Sequence, residues 1–297
     1  MADQSRVDTV RDMVEEQLAG YRVGSAVLLG ESEDNVAYEV NGELVVRFGK
    51  ESDPMLRAAR VEREARLLAA VAGISTAPVP EPVFTVADQG CLAYYKLPGV
   101  LLLHMPLSRR AVRGEPVAAA LGGLLTGLHA APVDRVADLV ATEVQPTALW
   151  LSEAAEVYPA VAAEVPVVYR TSMEAFLTAP PPAGEYVPVF SHNDLGIEHV
   201  LIDGAIWTVT GVIDWSDAAI TDPAYDFGLL YRDLGPAAFD AALREYRTDV
   251  NDIKTLVERA VFYARCCVIK DLAYGLETGR DRYTVKSLAA MEWLFPG

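Results

Sequence analysis

The sequence predicts an α+β chain in two parts, a small five-stranded β-rich N-terminal lobe and a larger helical C-terminal lobe. Three observations carry that prediction. β-prone runs crowd the first hundred or so residues around one strong helix. Helical periodicity dominates beyond Leu97-Pro98-Gly99. The 297 residues are 52% hydrophobic and 23% charged, which suits two modest cores and argues against a disordered chain.

Taken in order, Ser5 can cap a helix through Val7, Val10, Val14 and Leu18, with Gly20 as its stop. Strands are expected at 23–30, 36–40 and 43–48, the last two joined by Asn41-Gly42, a strong hairpin signal. Asp53-Pro54 then opens a helix as cap and first-turn proline, carrying Leu56, Val61, Ala65, Leu68 and Val71. Pro78, Pro80 and Pro82 interrupt the chain before strands at 83–86 and 92–97. These elements make up an N-terminal lobe of residues 1–97, with a connection near 94–98. The lobe from 98 to 297 should hold helices at 117–130, 148–163, 167–177, 223–234, 237–246 and 253–276. One strand pair, 199–202 and 206–213, is expected there, turning at Asp203-Gly204.

Charge narrows the classes of partner. The chain has 42 Asp and Glu against 25 Lys and Arg, a formal charge of −17. Such a surface repels phosphate backbones and anionic lipid, so neither nucleic acid nor a membrane is expected as partner, and cationic ligands fit better. No protein partner is implied. Cys91, Cys266 and Cys267 form neither a disulfide framework nor a CxxC metal pair, as expected of a reducing compartment. The N-terminus lacks a basic stretch followed by an apolar core, and the most apolar window, 116–133, contains Thr126 and His129. A cytoplasmic protein is expected.

Chemistry concentrates in Ser191-His192-Asn193-Asp194-Leu195-Gly196-Ile197-Glu198-His199-Val200-Leu201-Ile202-Asp203, followed by Val212-Ile213-Asp214-Trp215. Polar residues cluster in a loop ahead of a tight hairpin, where rigid elements can position them. Asp194, a possible metal ligand five residues later at His199, and Asp214 at the end of the next strand suggest one metal-centred site. Magnesium needs only one or two protein ligands when phosphate oxygens supply the rest.

These residues resemble the kinase-like antibiotic phosphotransferases of the aminoglycoside and macrolide type, whose signature is His-x-Asp-x-x-x-x-(Asn or His) followed by Ile-Asp-Trp. Further matches follow in order along most of the chain. They are Val45-Val46-Arg47-Phe48, Arg63-Glu64-Ala65-Arg66-Leu67-Leu68, Leu97-Pro98-Gly99, Leu124-Leu125-Thr126-Gly127-Leu128-His129-Ala130 and Asp222-Pro223-Ala224-Tyr225-Asp226-Phe227-Gly228. The resemblance implies a bilobal protein-kinase-like fold and a nucleotide-binding N-terminal lobe. The implied reaction moves the γ-phosphate of ATP or GTP to a hydroxyl of a small molecule, with Mg2+ as cofactor. Asp194 would be the catalytic base, and His199 and Asp214 would hold magnesium. Arg47 would grip phosphates, with Glu64, or its rival Glu62, holding Arg47. The loop with Ser32 and Asn35 would cover the phosphates, and backbone groups at Tyr95, Lys96 and Leu97 would bind the base. The chain departs from the commoner pattern in having His199 for Asn, a softer ligand than magnesium prefers, and Arg47 for Lys.

From Gly99 onward 26 acids oppose 15 bases, which suits either a solvated surface or a carboxylate-lined cleft for a polycationic acceptor. Asp217, Asp271, Tyr274 and Glu277 are the acceptor-site candidates, the last three spaced to share a helix face. An aminoglycoside is therefore favoured over a macrolide. The alternatives are a metabolic small-molecule kinase and a non-catalytic nucleotide-binding pseudokinase. A protein kinase fits less well: Asp226-Phe227-Gly228 spells that family's metal motif, but it lies past the hairpin end where Asp214 already sits. His192 reads as a structural loop histidine that bonds the backbone, and Asp226 as a cap or a brace for the loop.

Overall fold

The computed structural model describes residues 2–31, 34–183, 185–249 and 252–296. The chain divides into two compact units. One comprises the residues up to Gly73 with Pro78–Pro98, and the other Ile74–Ala77 with the chain from Gly99 onward.

The first unit is built on an antiparallel five-stranded sheet ordered β1-β2-β3-β5-β4. Its strands are β1 (Ala26–Glu31), β2 (Asn35–Val40), β3 (Leu44–Gly49), β4 (Pro82–Val86) and β5 (Cys91–Tyr95). Asn41 and Gly42 link β2 to β3 at φ 53° and 75°, a conformation that Asn and Gly tolerate best. The Asn41 carboxamide oxygen also accepts from the backbone of Gly24 and Ser25, fixing the entry to β1. Side chains alternate across β3. Leu44 and Val46 join Tyr38, Val40, Cys91 and Ala93 in a core closed by Val10, Met13 and Val14 of α1 (Ala2–Gln17). Arg47 projects from the other face towards α2 (Pro54–Ala72). Asp53 caps α2, accepting from the N–H groups of Met55 and Leu56 at 2.8 and 3.1 Å.

The second unit is mainly helical: α3 (Leu107–Ala130), α4 (Thr147–Val161), α5 (Val167–Thr178), α6 (Ala224–Glu245), α7 (Ile253–Thr278) and α8 (Asp281–Leu294). Helix α6 packs against both α3 and α7, and α7 against α8. At Gly122 of α3 the fit is so close that a Cβ would lie 2.1 Å from the Ala242 carbonyl oxygen. Two three-stranded sheets carry the loops. In one, β9 (Val200–Ile202) lies between β10 (Val209–Val212) and β6 (Val100–Leu101). In the other, β11 (Ala219–Thr221) lies between β7 (Ala141–Thr142) and β8 (Val189–Ser191).

Several elements differ from expectation. Helix α1 begins at Ala2, so Ser5 lies within it rather than capping it. Helix α3 starts at Leu107 and carries Pro116 in its interior, because the segment ahead of the proline already runs helically. The break expected between the helices at 223–234 and 237–246 is present, however, as a non-helical Gly235 (φ 78°) ahead of Pro236 within α6. Helix α8 is additional to the expected elements, as are the short strands β6, β7, β8 and β11, whose two or three residues show no period. The β9–β10 turn is longer than Asp203-Gly204. The Asp203 carboxylate accepts from Ala205 and Ile206 N–H, and Trp207 takes φ 61°.

Candidate active site

The loop from β8 to β9 carries His192, Asn193, Asp194, Glu198 and His199, and the end of β10 carries Asp214. Asn193 and Asp214 sit at φ 64° and 63°, so both turns hold non-glycine residues in the left-handed region. Buried His192 ties them together. Its Nε2–H donates to the Ile213 carbonyl at 3.0 Å, while Nδ1 accepts from the Asp194 N–H at 3.3 Å. Its ring packs on Trp215 at 4.5 Å, and burial pushes its pKa down to about 3, so it remains neutral. His192 is a structural histidine bonded to the backbone.

His199 lies between the two carboxylates. Its Nδ1 is 3.3 Å from Asp194 Oδ2 and its Nε2 is 3.7 Å from Asp214 Oδ2. Because Nδ1–H donates to the Asp194 main-chain oxygen at 2.8 Å, Nε2 is the nitrogen that faces Asp214, and it offers its lone pair in the neutral imidazole. One nitrogen and one carboxylate oxygen, too far apart to bond each other, fit two neighbouring ligands of a single cation. Among the described residues no group of three His, Cys, Asp or Glu joins them, so water and phosphate oxygens would complete a magnesium shell. Burial lowers the His199 pKa, but Asp194 and Asp214 outweigh it, with a net upward shift. Burial also pushes Asp194 up to about 6, against the pull of His199.

Asp226, fully buried at the start of α6, braces this loop. It accepts from the N–H groups of His192, Asn193 and Leu195 at 2.9, 3.3 and 3.3 Å. Burial pushes its carboxyl up to about 7, with the three N–H donors pulling the other way. With both oxygens so occupied, the Asp-Phe-Gly at 226–228 is not a metal motif here. Helix α6 is itself anchored by Asp222, which takes Arg259 in a two-pronged bond of 2.7 and 3.1 Å.

In the first unit Arg47 Nη1 donates to Glu64 Oε1 at 2.7 Å, both side chains about 85% buried. Glu62 faces solvent, so the helix face decides between the two acids. Asn35, with its amide oriented to satisfy both ends, accepts from Arg47 Nη2 at 2.9 Å. Ser32 lies outside the described residues. Tyr95 ends β5 opposite Leu44, and Leu97 follows half-buried. The Lys96 N–H is taken by the Glu43 carbonyl at 2.7 Å and its ammonium by Glu39, which leaves its carbonyl for other use.

The acceptor candidates separate. Asp217 is exposed beside the loop, its carbonyl accepting from Asn193 at 3.0 Å. Asp271 was expected to face a ligand but is held by Arg232 and Lys286 at 3.1 and 2.8 Å. Tyr274 packs edge-on to Tyr283 of α8, and Glu277 is exposed near the end of α7. The face those three share therefore turns at its inner end towards α8. A cavity of about 220 Å³ instead opens beside Asn193, lined by Glu143, Trp150, Glu153, Tyr186, Tyr225 and Tyr263 among others. Asn193 Nδ2 donates to Glu143 at 3.1 Å, and the Lys270 ammonium lies between Glu153 and the face of Trp150. None of the four acceptor candidates lines it, and only Asn193 and Tyr225 fall within motifs quoted from the sequence. The rest sits on segments with no shared spacing, so nothing in the linear order groups them.

With this geometry in view, comparison with known proteins is decisive. A family model described as the phosphotransferase enzyme family matches residues 25–258. The chain belongs to that family. The phosphotransferase, whose acceptor is an alcohol group, is 29% identical to viomycin phosphotransferase of Streptomyces vinaceus over 239 residues, 77% of this chain and 80% of the relative. Its fold matches the GDP and kanamycin complex of APH(2")-IIia with a TM-score of 0.68, at 22% identity over 96% of this chain and 97% of that one. It also matches macrolide 2'-phosphotransferase type I with a TM-score of 0.63, at 22% identity over 98% and 97%. The phosphotransferase thus has the kinase-like fold of these antibiotic-modifying enzymes. Among its described residues no helix is long and apolar enough to cross a membrane.

Proposed function

We propose that this phosphotransferase moves the γ-phosphate of ATP or GTP to a hydroxyl of a cationic antibiotic, with an aminoglycoside favoured over a macrolide. The observation that carries the reading is His199 standing between Asp194 and Asp214 with its Nε2 turned to Asp214. Asp194 takes the acceptor hydroxyl's proton as the new O–P bond forms. Its side chain is 38% exposed, so an entering hydroxyl can reach it, and its carboxyl is shifted upward towards the range of a general base. His199 Nε2 and Asp214 would hold magnesium, which would supply positive charge to neutralise the nucleotide's phosphates. Arg47, fixed by Glu64 and Asn35, grips the phosphates, and the first unit serves the nucleotide through Tyr95, Lys96 and Leu97.

The cavity beside Asn193 supports a cationic acceptor. Its carboxylate Glu143 and the rings of Tyr186 and Tyr225 suit ammonium groups carried on a ring, with Asp217 at the edge of the loop, while Glu153 and Trp150 are taken by Lys270.

The test is nucleotide turnover with magnesium, using ATP and GTP separately, against aminoglycosides, macrolides and viomycin. Stimulation by one chemical class, lost in Asp194→Ala while nucleotide binding is kept, is the expected result. No stimulation by any class would overturn the antibiotic reading in favour of a metabolic acceptor. Nucleotide binding without turnover on any acceptor would make the chain a pseudokinase.

A further inference from the structure

Behind the loop lies a group of charges that the proposed chemistry does not use. Glu198, the residue before His199, turns inward to the Lys286 ammonium, which is 3.1 and 3.0 Å from its two oxygens. The same ammonium is 3.3 Å from Asp233 and 2.8 Å from Asp271, so three carboxylates surround it. Arg232 binds Asp233 through two bonds of 2.8 Å, reaches Asp271 at 3.1 Å and approaches Glu198 at 3.6 Å. Arg110 lies buried within electrostatic reach of Asp233 and Glu198, so three cations balance three anions.

Two contacts join this network to the loop. Asp233 Oδ2 accepts the Ile197 N–H at 3.2 Å, and Glu198 is itself a loop residue. Gly196 makes the inward turn possible, because a Cβ there would lie 2.6 Å from the Glu198 carboxyl carbon. Residues 197 and 198 are thus clamped from behind by α6 and α8, and His199 follows directly.

We infer that Lys286, with Asp233 and Glu198, is a positioning centre that sets the His199 imidazole between Asp194 and Asp214. This rests on His199 being a ligand in the reading above. Lys286 touches neither substrate nor metal and acts through the backbone of 197–199. Partners behind a ligand are worth about 10- to 100-fold in metal affinity or activity when removed. Such a network is weak evidence of stabilisation, because replacing a buried ion pair with apolar residues of like volume is often neutral or stabilising.

The experiment uses the full chain without nucleotide. It has only four histidines, so their imidazole signals can be resolved by NMR in the wild type, Glu198→Gln and Lys286→Met. Glu198→Gln keeps the shape and is the variant least disposed to unfold. The expected result is a shifted or broadened His199 signal with His104 and His129 unmoved. In turnover, kcat should fall about tenfold or more and half-saturating magnesium rise, with acceptor KM within about twofold. An unmoved His199 signal with unchanged kcat in Glu198→Gln would overturn the inference. Collapse of all four signals together in both variants would also overturn it, making the network a stabilising core only. If the wild type turns over no acceptor, the functional reading fails, and the His199 signal still decides the positioning claim.

Discussion

Removing the brace beneath the loop tests the link between architecture and chemistry most directly. In Asp226→Ala the N–H groups of His192, Asn193 and Leu195 lose their acceptor in a site closed to solvent. A buried donor left unpaired costs about 1–3 kcal/mol. Taking the low end, because loss of the carboxylate also removes its own burial penalty and admits water, three donors come to about 3 kcal/mol. For a unit of this size that is a fall in Tm of about 6–12 °C. Asp226→Asn can keep its oxygen towards His192 and Asn193 and turn its NH2 towards Leu195, so about one third of that loss, about 1 kcal/mol, is expected. Thermal unfolding of both variants measures this. Turnover taken below both transitions should fall at least about tenfold in the alanine variant, because Asp194 lies between two of the released N–H groups. A Tm within about 2 °C of wild type together with unchanged turnover would refute the bracing argument.

Four further outcomes are expected. Glu64→Gln removes the charge that fixes Arg47, so nucleotide KM should rise several-fold while acceptor KM stays, as steady-state kinetics with each substrate varied will show. Gly122→Val forces side-chain atoms onto the Ala242 carbonyl and should cost about 1–3 kcal/mol in urea unfolding. Gly123→Ala, with nothing within 4 Å, should gain about 0.5–1 kcal/mol in the same assay. Buried His129, bonded to Tyr246 at 2.8 Å, has its pKa pushed down to about 3 from an ordinary 6.5. It binds a proton more readily unfolded than folded, so its contribution is complete above about pH 6.5 and declines as pH falls towards 3, by up to about 1.4 kcal/mol per unit. His129→Gln should therefore show a shallower fall in Tm between pH 7 and pH 5.

Much of the site was legible because its residues lie close together in the chain. Asp194, His199 and Asp214 fall within a single loop and hairpin, and the short distances between them follow from that connectivity. The partner of Arg47 was narrowed to Glu62 or Glu64, and only the rotation of α2 separated them. The acceptor side was legible only in its charge. Asp271 looked like an exposed acid at helical spacing, yet α6 and α8 supply the cations that bind it. A carboxylate that faces a ligand and one that faces a buried ammonium are written with the same letter.

By itself, then, the sequence determined the order of strands and helices in the first unit, the hairpin at Asn41-Gly42, and the loop and hairpin that carry Asp194, His199 and Asp214, beside the family resemblance of its motifs. These are local matters, set by periodicity, turn chemistry and spacing over a few residues. Tertiary structure alone decided that Asp226 braces the loop, that Glu143 and Trp150 share a cavity with Tyr225, and that Lys286 meets Glu198 from 88 residues away. The physical reason is common to all three: burial turns a charge or a ring into a specific contact only once distant segments close around it, and no linear pattern records which segments those will be.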